Sequence, residues 1–302
     1  RGDKRDLAFN ILGPGATEAG VDRIVEEFHL DKPMHTRYLL WLSDALRGDL
    51  GNSPILGGRS VSSTIARALP VTLQLMLYTQ IVALLIAVPL GVFAAYRANR
   101  RGDRISSVVA LGFLSVPNFV IALVLVLFLA IGGLSIFGTQ VGWEILPGSS
   151  YKPFGGPDCV WTHFKYMALP TLSLALGQSA SYMRVLRSDM ISTLQENFIT
   201  TAKAKGVSDR RILLGHALRP SSFTLMTVFG LNTATLIGGA LIIELLFGLP
   251  GIGSVIGTAI SQKDFLVVQG VVVVVAVGFV LINFLVDALY GVLDPRVRHV
   301  RA

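Results

Sequence analysis

The sequence predicts an all-α protein, a polytopic bundle of membrane-spanning helices. Three observations carry that expectation. Of the 302 residues 52% are hydrophobic and only 15% charged, with a mean hydropathy of +0.62, whereas soluble domains carry about 25% charged residues. Residues 71–96, 105–143, 166–183, 220–243 and 265–286 contain no Asp, Glu, Lys or Arg, and a spanning helix needs roughly 20 mostly apolar residues. The third run meets that length only marginally. None of the runs alternates polar with apolar residues, so helices are expected in place of the strands of an outer-membrane barrel.

Residues 1–69 precede the first run and hold nine acidic and nine basic residues. They are expected to form an extracytoplasmic segment, followed by a transmembrane domain over 70–302. Within the segment, 17–47 reads as two short amphipathic helices broken at Pro33. Val21, Ile24, Val25 and Phe28 mark one apolar face, and Tyr38, Leu39, Trp41, Leu42 and Leu46 the other. Tyr38 and Trp41 suit a membrane interface and equally suit packing on the span ends.

Orientation follows from charge. The connection 97–104 carries Arg97, Arg100, Arg101 and Arg104 against Asp103. The stretch 184–219 carries Arg184, Arg187, Lys203, Lys205, Arg210, Arg211 and Arg219 against Asp189, Glu196 and Asp209. The tail after 293 adds Arg296, Arg298 and Arg301 against Asp294, while 138–165 has only Lys152 and Lys165 and 249–264 only Lys263. Basic connections stay in the cytoplasm, so the net charge of +7 is a topology signal and no sign of nucleic acid. Five spans with a cytoplasmic C-terminus place residue 1 outside, and 1–69 contains no signal peptide. A sixth, N-terminal span ahead of residue 1 is therefore expected.

Polar residues inside spans are costly and mark candidate pathway or gate positions. Asn118, Asn232, Glu244 and Asn283 are those candidates, with Gln74 and Gln178 beside them; interhelical hydrogen bonding explains the amides equally well. Glu244 is expected near the outer end of the fourth run, at an external gate or reaching interfacial water. Asp287 is expected to pair with a cation. Pro89 with Gly91, and Pro117 with Asn118, are expected to interrupt the first and second runs. The stretch 245–268 is too polar and Gly-rich to span and reads as a re-entrant or surface loop; Gly253 and Gly257 within it are discounted as a dimerisation face.

Catalytic and metal signals are lacking. The single cysteine, Cys159, excludes an internal disulfide and reads as a lone loop thiol. His29, His35, His163, His216 and His299 show no metal-ligand spacing, and neither a G-x-S-x-G nor a G-x-x-x-x-G-K-[ST] stretch occurs. No enzyme activity, metal or cofactor is expected in this chain.

The polar stretch 188–220 is the most specific part. Helix over 196–205 is expected to end at Gly206, which takes the left-handed conformation at least cost. Ser208 then caps a second helix over 209–219, stopped by Pro220. Ala202 is followed by Gly206 four residues later and, after nine more, by His216-Ala217-Leu218. This spacing resembles the EAA loop of ABC importer permeases: Glu-Ala-Ala, three residues, Gly, nine residues, Ile-x-Leu-Pro. Thr200 and Thr201 stand for Glu and Ala, His216 for Ile, and Arg219 stands at the Pro position with Pro220 one later. FITTAKAKGVSDRRILLGHALRP, LDKPMHTRYLLWLSDALRGDLGNS and LVDALYGVLDPRVRH together resemble the dipeptide/oligopeptide importer permeases, most of all the B type, over essentially the whole chain.

That resemblance implies a type I importer permease fold in a bacterial cytoplasmic membrane, with a spanning helix ahead of residue 1. It implies a homologous second permease, two cytoplasmic ABC ATPase domains that bind ATP and Mg, and an extracytoplasmic solute-binding protein. A coupling helix over Asn197–Lys205, turning at Gly206, is then the ATPase contact, with Asn197, Ala202, Lys203, Lys205, Gly206 and Asp209 as its residues. Short peptides are the implied substrate, although the same scaffold also carries nickel, haem and other solutes. A self-sufficient secondary transporter or channel is the rival from another class, disfavoured by the docking loop.

Overall fold

In the computed structural model the described residues are 17–27, 29–132, 134–136, 139–141, 143, 145–154 and 160–293. They fall into two compact units, the described residues up to 71 with 250–276, and those of 72–249 with 277–293. Cys159, Phe28, His299 and the arginines of the tail lie outside the described residues, as do the side chains of Ile24 and Asp287.

The first unit opens with α1 (Glu18–Glu27) and α2 (Met34–Leu46). Pro33 stands at the N-cap of α2 with φ −60° and ψ 150°, where its missing N–H costs nothing. The expected break at Pro33 is therefore present. Val21 is buried, but α2 buries no residue, and Met34, Tyr38, Leu39 and Leu46 are all exposed. A two-residue hairpin follows, β1 (Asn52–Ser53) pairing antiparallel with β2 (Arg59–Ser60).

The unit's core joins Leu50, Val61, Ile65 and Ala68 to Ile252, Ala259, Val267 and Val271. Here the expectation for 245–268 is corrected, because most of the stretch is helical. It contains α11 (Ile252–Gln262), whose apolar face, Ile252 and Ala259, is buried in that core. One apolar stripe suffices for such a packed helix even where composition is too polar for a span. Gly253 and Gly257 lie within α11. The helix is followed by Asp264, buried beneath Ser53, whose hydroxyl donates to its carboxylate. The same carboxylate accepts the Val267 N–H at 3.3 Å and so caps the start of α12 (Phe265–Leu293).

The second unit is a helix bundle. It contains most of α3 (Val61–Tyr96), then α4 (Arg101–Ser115), α5 (Asn118–Leu129), a small hairpin β3 (Leu134–Ile136) and β4 (Thr139–Val141), and α6 (Val160–Leu194). Beyond the polar loop come α9 (Leu218–Gly239), α10 (Leu241–Phe247) and the end of α12. α4, α5 and α9 all pack on α6. That explains why the third uncharged run is only marginal. α6 has 35 residues, roughly 52 Å at 1.5 Å per residue. Its surface is turned largely to protein, burying Met167, Leu174, Tyr182, Met183, Leu186 and Met190, and it need not be as apolar as a lipid-facing helix.

By length and apolarity, α3 and the Phe265–Val286 part of α12 each suffice to cross a membrane. Two bent pairs, α4 with α5 and the 209–236 helix with α10, raise the number to as many as four among the described residues. The break at Pro117 is sharp, 105° between α4 and α5, as expected where Pro117 lacks an N–H and restricts Val116 to extended backbone. The expected interruption at Pro89 and Gly91 does not occur, and α3 runs unbroken through both. Gly91 marks instead a close approach, where an added Cβ would lie 3.1 Å from Leu186 Cδ2 of α6. Small buried neighbours (Ala83, Ala87 and Ala94) continue that seam, and side chains packed on both sides hold a helix together across a proline's missing hydrogen bond.

Candidate functional site

The polar loop begins where α6 ends at Leu194. A short helix, α7 (Asn197–Ala204), follows Glu196 and stops at Lys205. Gly206 has φ +74°, its N–H donates to the Lys203 carbonyl at 2.9 Å, and the Val207 N–H donates to the Ala202 carbonyl at 3.1 Å. The chain reverses there as its glycine predicted. Ser208 stands at the N-cap of α8 (Asp209–Arg211), with extended backbone but no side-chain capping bond.

The expected stop at Pro220 is corrected. The helix that starts at Asp209 continues through a π-helical turn, Ile212–Ala217, directly into α9, which contains Pro220. A proline four residues beyond His216 needs that carbonyl turned away from its ring, and the wider π turn loosens the ladder at this place. Ser221 takes part, its hydroxyl donating to the Ala217 carbonyl at 2.9 Å and lying 3.0 Å from Thr193 Oγ1. The two ends of the loop are thereby tied together.

α7 has two faces. Ile199 is fully buried and Ala202 half-buried, both packed on the bundle core with Ile212 and Ala217 of the π turn. Asn197, Thr200, Thr201, Lys203 and Ala204 are exposed, as is Phe198, an aromatic side chain 48% exposed. Phe198 was missed by sequence reasoning. Its signal was available, since on a helix the neighbour of a buried residue is turned about 100° away from it. Asp209 points back to the bundle and accepts the Tyr96 hydroxyl at 3.0 Å.

Next to the loop lies an ion pair that sequence reading did not assign. Arg187, counted from sequence as a loop cation, lies on α6 and grips Asp103 of α4 with two donors, Nη2 to Oδ2 at 2.7 Å and Nε to Oδ1 at 2.5 Å. Asp103 is 2% exposed and also accepts the Asn99 N–H at 2.8 Å. Bidentate pairing to a guanidinium is the geometry in which a buried carboxylate is best satisfied.

The four candidate pathway residues have different neighbours. Asn232 belongs to a buried polar network: the Tyr182 hydroxyl donates to Gln80 Oε1 at 2.7 Å, Gln80 Nε2 donates to Thr233 Oγ1 at 2.7 Å, and Asn232 also hydrogen-bonds Tyr182. This network bridges α3, α6 and α9. Asn118 opens α5 just past the bend, with its Oδ1 2.8 Å from where a Cβ on Gly177 of α6 would sit. Asn283 is half-buried on α12.

Glu244 corrects an expectation. It is fully buried and accepts the Thr72 hydroxyl at 2.7 Å, so it does not reach interfacial water. A buried carboxylate is held by hydrogen bonds from its neighbours; α10, which carries Glu244, is bent by 57° from the 209–236 helix. Gln74 accepts from the Tyr151 hydroxyl at 3.3 Å. His163, scattered in sequence, is buried between the rings of Tyr78, Tyr151, Phe154 and Phe164.

A bent-helix bundle with one loop helix embedded on one side and open on the other defines a class, and comparison with known proteins agrees. Residues 87–299 match the family described as binding-protein-dependent transport system inner membrane component. The chain belongs to that family and is a membrane subunit of a transport system. It is 36% identical over 295 residues to the peptide ABC transporter permease protein y4tP of Sinorhizobium fredii, covering 97% of this chain and 90% of the relative. It is 32% identical to the oligopeptide transport system permease protein AppB of Bacillus subtilis, covering 96% and 88%. Among solved structures it is similar to an inward-facing MetNI methionine ABC transporter, with a TM-score of 0.60 at 16% identity over 76% of this chain and 96% of that one. The likeness to MetNI shows the type I permease fold alone.

Proposed function

We propose that this chain is one of two permease subunits of an ATP-driven importer of short peptides. The observation that carries the reading is the two-faced α7, with Ile199 and Ala202 set in the bundle core and Phe198, Lys203 and Lys205 turned outward. A helix fixed on its inner face transmits a push; a free loop absorbs it. The peptide assignment is supported by the names of the relatives, y4tP and AppB among them.

Two ATPase domains, which hold the ATP and Mg, dock on α7 and on its equivalent in a homologous second permease. Asn197, Lys203, Lys205 and Phe198 make the contact, while Gly206 sets the exit angle. Closure of the ATPases drives α7 against the bundle. The push reaches α6 through Ile199 and α9 through the π turn, rocking the bundle between inward-open and outward-open states. An extracytoplasmic solute-binding protein delivers the peptide, and the loop and C-terminus are cytoplasmic. Asn118, Asn232, Glu244 and Asn283 act in this scheme by holding bent helices in register around the path. No bond of the substrate is broken here.

The test is purification of the tagged chain in mild detergent with mass spectrometry of its companions. A second permease and a Walker-motif ATPase are expected. A homo-oligomer without an ATPase, under conditions that preserve a known importer, refutes the reading.

A further inference from the structure

The first unit contains a cleft that the transport scheme does not use. It holds about 230 Å³ and is lined by His29, Arg37, Leu40, Trp41, Asp44 and Asp49. Ligand pockets for drug-sized molecules run to about 300–1,000 Å³, so this one takes something smaller.

Its charges are ordered. Arg37, Leu40, Trp41 and Asp44 follow each other at i, i+3, i+4 and i+7 on α2 and so share one stripe of that helix. The stripe starts with a cation near the N-terminal end, passes an aromatic and an aliphatic side chain, and ends with a carboxylate near the C-terminal end. Asp49 stands with Asp44 on the cleft wall, and its Oδ1 is engaged by the Gly51 N–H at 2.9 Å. Among the described residues no ion pair joins Arg37 to either carboxylate. Opposite charges face one cavity without neutralising each other.

We infer that this cleft binds a small zwitterion, a tripeptide with free termini, its carboxylate toward Arg37 and its ammonium toward Asp44 and Asp49. The helix dipole favours that direction, because the α2 N-terminus attracts the anion and its C-terminus the cation. Seven residues of helix put about 10 Å between the Cα atoms of Arg37 and Asp44. Three residues of extended chain span about the same length at 3.3–3.6 Å each. A single amino acid is too short to meet both ends. Leu40 and Trp41 supply the apolar floor for the side chain between. The assignment rests on residues 1–69 being extracytoplasmic, where such a site would hold peptide outside the pathway, and it is independent of any ATPase.

The test is equilibrium dialysis of trialanine against the purified full chain in lipid nanodiscs, without ATPase or binding protein. Saturable binding of trialanine is expected, with alanine, N-acetyl-trialanine and trialanine amide each weaker by about tenfold or more. R37Q is expected to weaken trialanine by a similar factor while leaving the amide unchanged, and D44N to weaken it while leaving the N-acetyl form unchanged. The wild-type ligand series decides the matter even where a variant fails to fold. Absence of saturable trialanine binding overturns the inference, and so does binding indifferent to the capped termini. Because transport is not measured, a failed peptide-import reading would leave this result standing, and the reverse.

Discussion

Replacing Gly206 tests how the loop hands on force. Its φ of +74° is a left-handed conformation, and an added Cβ would meet nothing within 4 Å. The effect of a substitution is therefore backbone strain without a side-chain clash. An ordinary L-residue pays about 1–2 kcal/mol in that conformation, and a β-branched one more. An energy of that size shifts a local equilibrium roughly 5–30-fold, enough to redirect the exit of α7 but too little to unfold a bundle anchored by Ile199, Met190 and Leu186. Gly206→Val is expected to insert normally and to retain ATP hydrolysis in the assembled transporter while losing most of its transport. Gly206→Asn, which tolerates the left-handed region, is expected to keep most of both. The assay is peptide uptake per ATP hydrolysed in proteoliposomes. If Val and Asn variants match the wild type in that ratio, the turn at Gly206 has no part in coupling.

Three structural predictions follow from the bundle. Arg187→Ala leaves Asp103 buried without its guanidinium and is expected to cost about 3 kcal/mol, read as a lower thermal unfolding temperature in detergent; an unchanged temperature contradicts the pairing. Gly230→Leu places a Cβ within 2.7 Å of Val286 Cγ2, so α9 and α12 must separate at about 1–3 kcal/mol, and Val286→Ala in the same chain is expected to restore part of the loss. Tyr182→Phe removes the donor to Gln80 Oε1 in the polar network and is expected to cost about 1–3 kcal/mol; wild-type stability in that variant would mean the network does not hold α3 to α6.

What could be read from sequence was what local chemistry decides. Pro33 splits two helices and Gly206 turns the loop because each residue restricts its own backbone, and Pro117 bends the second run for the same reason. Pro220 was misjudged by the same local rule, since the rule does not include the π turn upstream that accommodates it. The stretch 245–268 misled because its composition is polar and Gly-rich, whereas α11 needs only Ile252 and Ala259 to face a core. Asp103 and Arg187 stand 84 residues apart, and Thr72 and Glu244 stand 172 apart; no spacing rule joins such pairs. The burial of α6 was equally illegible, because a helix surrounded by other helices loses the long apolar run that announces a span. Asn118, Asn232 and Asn283 were recognisable as costly polar residues, yet only the packing shows that Asn232 joins a network bridging three helices.

The central claim is that α7 presents its outer face to an ATPase. Its most direct test is a photoreactive phenylalanine analogue in place of Phe198 in the intact membrane, with the same analogue at the exposed Val280 of α12 as control. The account predicts an adduct between position 198 and a Walker-motif ATPase, strengthened or weakened by ATP, and none with that protein from position 280. An analogue at 198 that labels only lipid, or the same companions as 280, would contradict it.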